Sequence, residues 1–138
     1  MRIIAFDIGE KRIGVAVSDP LGITSAPRAF IPASGDDRDV NAMAAAAFAE
    51  GAVAIVLGLP RRTDGSIGKE AQRITDLASK LQELTGLEVV LFDERFTTRI
   101  AERTLLEANV SRRKRKACVD SMVAQIILQE YLDSRRRS

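Results

Sequence analysis

Two apolar runs around a short polar turn open the chain, and they constrain its fold more than any other stretch. Arg2-Ile3-Ile4-Ala5-Phe6-Asp7-Ile8-Gly9 leads through Glu10-Lys11-Arg12 into Ile13-Gly14-Val15-Ala16-Val17-Ser18-Asp19. Apolar runs of this length, bounded by turn residues, read as a hairpin of largely buried strands. Asp7 interrupts the first run with a carboxylate. Taking an ionised carboxylate out of water is costly unless charge or hydrogen bonds compensate it. Asp7 is therefore either a strand-end residue bonded to turn amides or part of a site.

Beyond the hairpin, Pro20-Leu21-Gly22 is turn chemistry. Residues 23–31 read as a third strand, which Pro27 and Pro32 assign to a sheet edge. Ser34-Gly35-Asp36-Asp37 supplies a loop and a helix N-cap. Helical spacing of Val40, Met43, Ala44, Ala47 and Phe48 predicts a helix over 39–50, stopped by Gly51. The apolar run 52–57 is a buried strand parallel to the first. A loop over 61–66 precedes a helix over 68–84, with Ile74, Leu77, Ala78, Leu81 and Leu84 on one face and Gly86 ending it. Residues 88–92 form a fifth strand, and Thr97 or Thr98 caps a helix running to Ala108. A basic loop and a last helix over 119–134 complete the chain. Alternating strands and helices after an opening meander give one α/β domain, 1–138, with a mixed sheet.

Histidine is absent, which excludes imidazole acid–base catalysis and His-ligated zinc. A single cysteine, Cys118, excludes an internal disulfide and fits a reducing cytoplasm; it reads as a small packed residue. No apolar run reaches membrane-span length, and the chain opens directly on a strand, so neither a membrane partner nor a secretory leader is expected. The net charge of +2 conceals an asymmetry. Arg112, Arg113, Lys114, Arg115 and Lys116 are consecutive, and Arg135–Arg137 directly precede Ser138, the last residue. Without these eight the remainder carries 13 basic against 19 acidic residues, an acidic body. Concentrated basic patches on such a body suggest a polyanionic partner.

Three acids stand where the pattern prefers apolar or neutral residues: Asp7, Glu94 just past the fifth strand, and Asp120 at the start of the last helix. Asp120 shares a helical stripe with Ala124, Ile127 and Tyr131, the stripe facing the sheet. It could equally be a helix N-cap, and Glu94 could pair with Arg95 or Arg99. If strands one and five are parallel neighbours, or nearly so, their C-terminal ends share the edge where open α/β sheets carry their sites. Converging carboxylates repel one another. With no histidine, the natural resolution is one or two Mg²⁺ or Mn²⁺ ions, suited to in-line phosphoryl displacement.

These residues also resemble a known family. Asp7-Ile8-Gly9 with Arg12 to Asp19, Gly58-Leu59-Pro60 with Asp64-Gly65-Ser66, and Asp93-Glu94-Arg95 with Thr97-Thr98 are similar, in order, to the blocks of the YqgF/RuvX family. Lys116, Val119-Asp120-Ser121 and Ile127 to Leu132 resemble its last block. Arg61-Arg62-Thr63 and Met122-Val123 depart from the family pattern, at positions of packing rather than of presumed ligands. The resemblance implies an RNase H-like fold: a five-stranded mixed sheet of order 3-2-1-4-5, strand 2 antiparallel, helices on both faces. It implies that Asp7, Glu94 and Asp120 are the metal-binding, catalytic acids. It also implies a substrate that is either Holliday-junction DNA or the 5′ end of pre-16S rRNA.

The reading expected from the sequence is thus a metal-dependent endonuclease. Arg12, Arg95, Thr97, Thr98, Arg112, Arg113, Lys114, Arg115 and Lys116 are expected to hold the nucleic-acid backbone without reading sequence. No aromatic residue interleaves the basic run, so base stacking is not evident there. A symmetric cut of a junction needs two active sites, hence a homodimer; trimming an RNA end does not. Two rivals stand beside this reading. A nucleotide phosphohydrolase of the actin and sugar-kinase type shares the Asp-x-Gly hairpin but needs two such domains. A non-catalytic RNA- or ribosome-binding module would keep the fold without turnover.

Overall fold

A computed structural model of the chain describes residues 1–59, 68–93 and 112–137, with side chains of 112–120 and 136–137 outside the described set. The loop expected over 61–66 and the helix expected to end at Ala108 fall outside the described residues.

The elements are β1 (Arg2–Ile8), β2 (Arg12–Ser18), β3 (Ser25–Pro32), α1 (Asp36–Ala49), β4 (Ala52–Leu59), α2 (Lys69–Thr85), β5 (Glu88–Asp93) and α3 (Arg112–Arg137). One sheet has the order β3-β2-β1-β4-β5. β2 runs antiparallel to both β1 and β3, while β4 is parallel to β1 and β5 to β4. β4 therefore separates β1 from β5, so these are not direct neighbours, although their C-terminal ends share one edge. Proline-bearing β3 is an edge strand, as its composition predicts.

The two faces of β1 follow from side-chain alternation. Ile4, Phe6 and Ile8 join Met43, Ile74, Leu77 and Leu81 in the core beneath α1 and α2. Ile3 and Ala5 join Ala16, Val56, Ala124, Ile127 and Leu128 in a second core beneath α3. Ala5, Ala16 and Ala124 are wholly buried, and their small size lets α3 lie close on the sheet. Val123, at one of the departures from the family pattern, is buried in this second core, and Met122 packs against it.

Local chemistry sets the helix ends. α1 starts at Asp36, three residues earlier than its apolar spacing predicts, because Asp36, Asp37 and Asp39 suit a helix's positive end. Its N-cap is Gly35 without a side-chain cap; instead Asp39 Oδ1 accepts the Ser34 N–H at 2.9 Å. Gly86, at φ 70°, ends α2 in the left-handed conformation and donates its N–H to the Gln82 carbonyl at 2.9 Å. Phe48 and Leu84, expected on buried faces, are 59% and 50% exposed. Each lies in its helix's last turn, beside the connection into the next strand.

The largest departure concerns α3. It is already helical at Arg112, so the basic run lies on the helix rather than in a loop. Arginine and lysine are good helix formers, and nothing between Arg112 and Val119 breaks a helix. Asp120 is consequently an interior helical residue, which removes its reading as an N-cap. Among the described residues no helix is long and apolar enough to cross a membrane.

Candidate metal and nucleic-acid site

Asp7 is the penultimate residue of β1, half-buried, and pairs across the ladder with Gly14. Its alternation with Phe6 and Ile8 places it on the α3 face, in line with Ile3 and Ala5. Gly14 has no side chain, so β2 itself places none opposite the carboxylate. On the other flank the ladder pairs Phe6 with Leu57, Gly58 with Phe92 and Leu59 with Asp93. The C-terminal ends of β1, β4 and β5 thus form one edge, and Asp7 stands on it.

The path of α3 follows from three anchored residues. Gln125 and Gln129 bond Ser25 at the start of β3, opposite Ser18. Ser121 donates to the Arg28 carbonyl at 2.8 Å and takes a long 3.5 Å contact from the Val15 N–H. From Gln129 back to Ser121 is about 12 Å of helix. From the Ser18–Ser25 pair to the Val15–Arg28 pair is about 10 Å of strand. The helix therefore runs nearly along the strands, and going back along it leads toward the edge that carries Asp7. Position 120 comes to within about one residue of the Asp7–Gly14 level. Arg112 to Lys116 continue roughly 6–12 Å further along the same axis.

Asp7 thus stands on an edge toward which the α3 backbone runs back. Glu94, Arg95, Thr97 and Thr98 lie outside the described residues, as do the side chains of Asp120 and of Arg112 to Lys116. Among the described residues no group of three His, Cys, Asp or Glu converges. The donors available at this edge are carboxylates in a chain without histidine, a set that fits a hard divalent cation.

Arg12 starts β2 two residues before Gly14, and its guanidinium lies 5.3 Å from the centroid of the Phe30 ring. Sequence reasoning missed Phe30, because its neighbour is set by an irregular β2–β3 register rather than by spacing. Asp19, which closes the opening motif, is not at this edge. It sits past the other end of β2, where its Oδ1 accepts the N–H groups of Ile23 at 2.7 Å and Thr24 at 3.0 Å. The Thr24 and then the Ile23 amide hold its pKa below the ordinary carboxylate value, against a small opposing effect of desolvation.

A five-stranded mixed sheet of this order, with a carboxylate near the end of its first strand and a helix laid back toward it, defines an RNase H-like protein. RuvC from Thermus thermophilus, solved with a Holliday junction substrate, superposes with a TM-score of 0.64 at 9% identity, covering 100% of this chain and 97% of that one. Residues 1–134 match the RuvX family, described as Holliday junction resolvase. A Clostridium kluyveri protein, named as a candidate pre-16S rRNA nuclease, is 43% identical over 133 residues, covering 96% of this chain and 97% of its own. A Geobacillus kaustophilus protein of the same name is 42% identical over 138 residues, covering 99% and 100%. The chain belongs to the RuvX family of nucleases.

Proposed function

We propose that this chain is a divalent-metal-dependent endonuclease acting on structured nucleic acid, with the 5′ end of precursor 16S rRNA as its substrate. One observation supports the reading: Asp7 stands near the end of β1, and the α3 backbone, held on the sheet by Ser121, runs back toward that strand edge. Asp7, Glu94 and Asp120 are the acids assigned to hold Mg²⁺ or Mn²⁺. One or two such ions, when bound, activate water and stabilise the leaving oxygen of a phosphodiester.

The other groups act on the substrate chain. Arg112, Arg113, Lys114, Arg115 and Lys116 engage phosphates, which orients the strand without reading bases. Arg12 extends the cationic surface across β2, and Arg95, Thr97 and Thr98 are assigned to the same backbone contacts. The substrate follows the name shared by the close relatives. A cytoplasmic location is proposed with it.

Junction DNA is the second reading, favoured by the family description and by the RuvC likeness in fold. It requires a homodimer, whereas RNA trimming does not. The test is incubation with Mg²⁺ or Mn²⁺ and, in parallel, a synthetic four-way DNA junction and an rRNA precursor fragment with its 5′ extension. Cutting that disappears with chelator and with Asp7→Asn, while binding persists, is expected. Undiminished turnover by Asp7→Asn overturns the carboxylate assignment. Binding without cutting of either substrate returns the chain to the non-catalytic rRNA-binding reading.

A further inference from the structure

The exposed ring beside the proposed site calls for its own explanation. Phe30 is 36% exposed, and the Arg12 guanidinium lies over its ring, 5.3 Å from the centroid. The pair exists because the β2–β3 ladder is irregular. Ile13 pairs with Ile31 and Val15 with Arg28, so Gly14 faces two residues, Ala29 and Phe30, where a regular ladder offers one. Bulges of this kind re-aim a side chain next to a functional edge. Here the bulge lies beside Gly14, the residue that pairs with Asp7 on the opposite strand. Two strand spacings put Phe30 about 10 Å from Asp7 across the sheet.

A solvent-facing aromatic ring backed by a guanidinium, close to a phosphate-binding edge, has the chemistry of a base-stacking platform. Every nucleobase presents a π-face, and arginine adds cation–π attraction. A base in a duplex is already stacked and cannot use the ring; an unpaired one can. We infer that Phe30, with Arg12, stacks an unpaired nucleobase of the strand whose phosphate lies at Asp7. This inference rests on the nuclease reading and sharpens it: the substrate is single-stranded beside the scissile bond. The basic run on α3 holds the backbone, while the bulge in β3 holds one base.

The experiment uses the full chain in an Asp7→Asn background with Mg²⁺, so that no strand is cut. Binding is followed by fluorescence anisotropy to a hairpin RNA with a short 5′ extension and to a blunt hairpin of equal charge. The same pair is repeated as DNA. A 2-aminopurine in the extension reports stacking directly. Phe30→Leu keeps the apolar bulk and loses the π-face; Phe30→Tyr keeps the ring. Phe30→Leu is expected to weaken binding to the extended hairpin roughly five- to a hundredfold. It should leave the blunt hairpin unchanged and abolish 2-aminopurine quenching, while Phe30→Tyr retains both. The better-bound sugar identifies the source of the base. Equal losses on extended and blunt hairpins, or none on either, overturn the inference while leaving the nuclease reading intact. Failure of the Phe30-bearing chain to bind either hairpin overturns both.

Discussion

The Ser121 hydroxyl, on α3, donates to the main-chain carbonyl of Arg28 at 2.8 Å across 93 residues of sequence. Ser121 is 6% exposed and also receives the Val15 N–H at 3.5 Å. It therefore sits on the edge of the β2–β3 irregularity and satisfies backbone groups there, one residue after Asp120. A serine inside a helix usually bonds back to its own helix or to water; this one fixes where the helix lies on the sheet.

Ser121→Ala removes the bond and leaves the Arg28 carbonyl without this partner. The expected loss is about 1–3 kcal/mol of stability, the cost of an unsatisfied buried polar group. Chemical denaturation of the two proteins checks it. Because the same hydroxyl positions the turn bearing Asp120, cleavage should fall further than the lost folded fraction explains. A stability change within a few tenths of a kcal/mol shows that water or repacking replaces the bond.

The basic run on α3 acts, in the proposed function, through phosphates alone. Replacing Arg113, Lys114 and Arg115 with Gln should therefore weaken binding to all sequences alike. It should also reduce the slope of log K against log salt by about 2 to 3, according to whether single or double strands are contacted. A titration between low and physiological salt measures this. An unchanged slope places these residues on a face that nucleic acid does not touch.

Much of this architecture is readable from the chain because its signals are local. The opening hairpin follows from two apolar runs, and Asp7 declares itself as a charge where only apolar residues belong. The α2 stripe and its terminal Gly86 obey helical period and glycine geometry together. What escaped depends on contacts distant in sequence. Whether five cations form a loop or a helix is undecided by their composition, since they suit either; the helix is favoured by continuity with the buried stripe from Val123 onward. Phe30 beside Arg12 depends on a one-residue shift in a ladder, which no periodicity reports. Of the three expected acids, only Asp7 lies among the described side chains, at a strand position that alternation predicts.

Asp19 illustrates a motif residue with a different task. Its carboxylate organises the turn between β2 and β3, accepting amides that orient Ile23 and Thr24 for the entry into β3. Its folded pKa lies below the ordinary value. The stabilisation is therefore complete above the unfolded carboxylate pKa of about 3.9 and is lost as pH falls through the lower folded value. Asp19→Ala should melt at lower temperature than the parent at neutral pH, with the gap narrowing in strongly acidic buffer. A gap of constant size across that range assigns the effect to packing of the turn rather than to the charge.

Glu130 carries the opposite sign. It lies on α3 and is half-buried, and burial first, then the negative charge of Asp133, raises its pKa. The folded state thus favours the protonated acid, whereas the unfolded chain ionises at about 4.3. The favourable contribution of the protonated form is complete below the unfolded value and is lost as pH rises through the higher folded one. At neutral pH the ionised side chain is a burden on α3, lightened by the solvent it still reaches. Glu130→Gln, which keeps the shape and removes the charge, should raise the melting temperature at pH 7 and make no difference near pH 3. Thermal melts of both proteins across this range are the check. A lower melting temperature for Glu130→Gln at pH 7 would show instead that the charge is held by a cation, and that burial is not what governs this side chain.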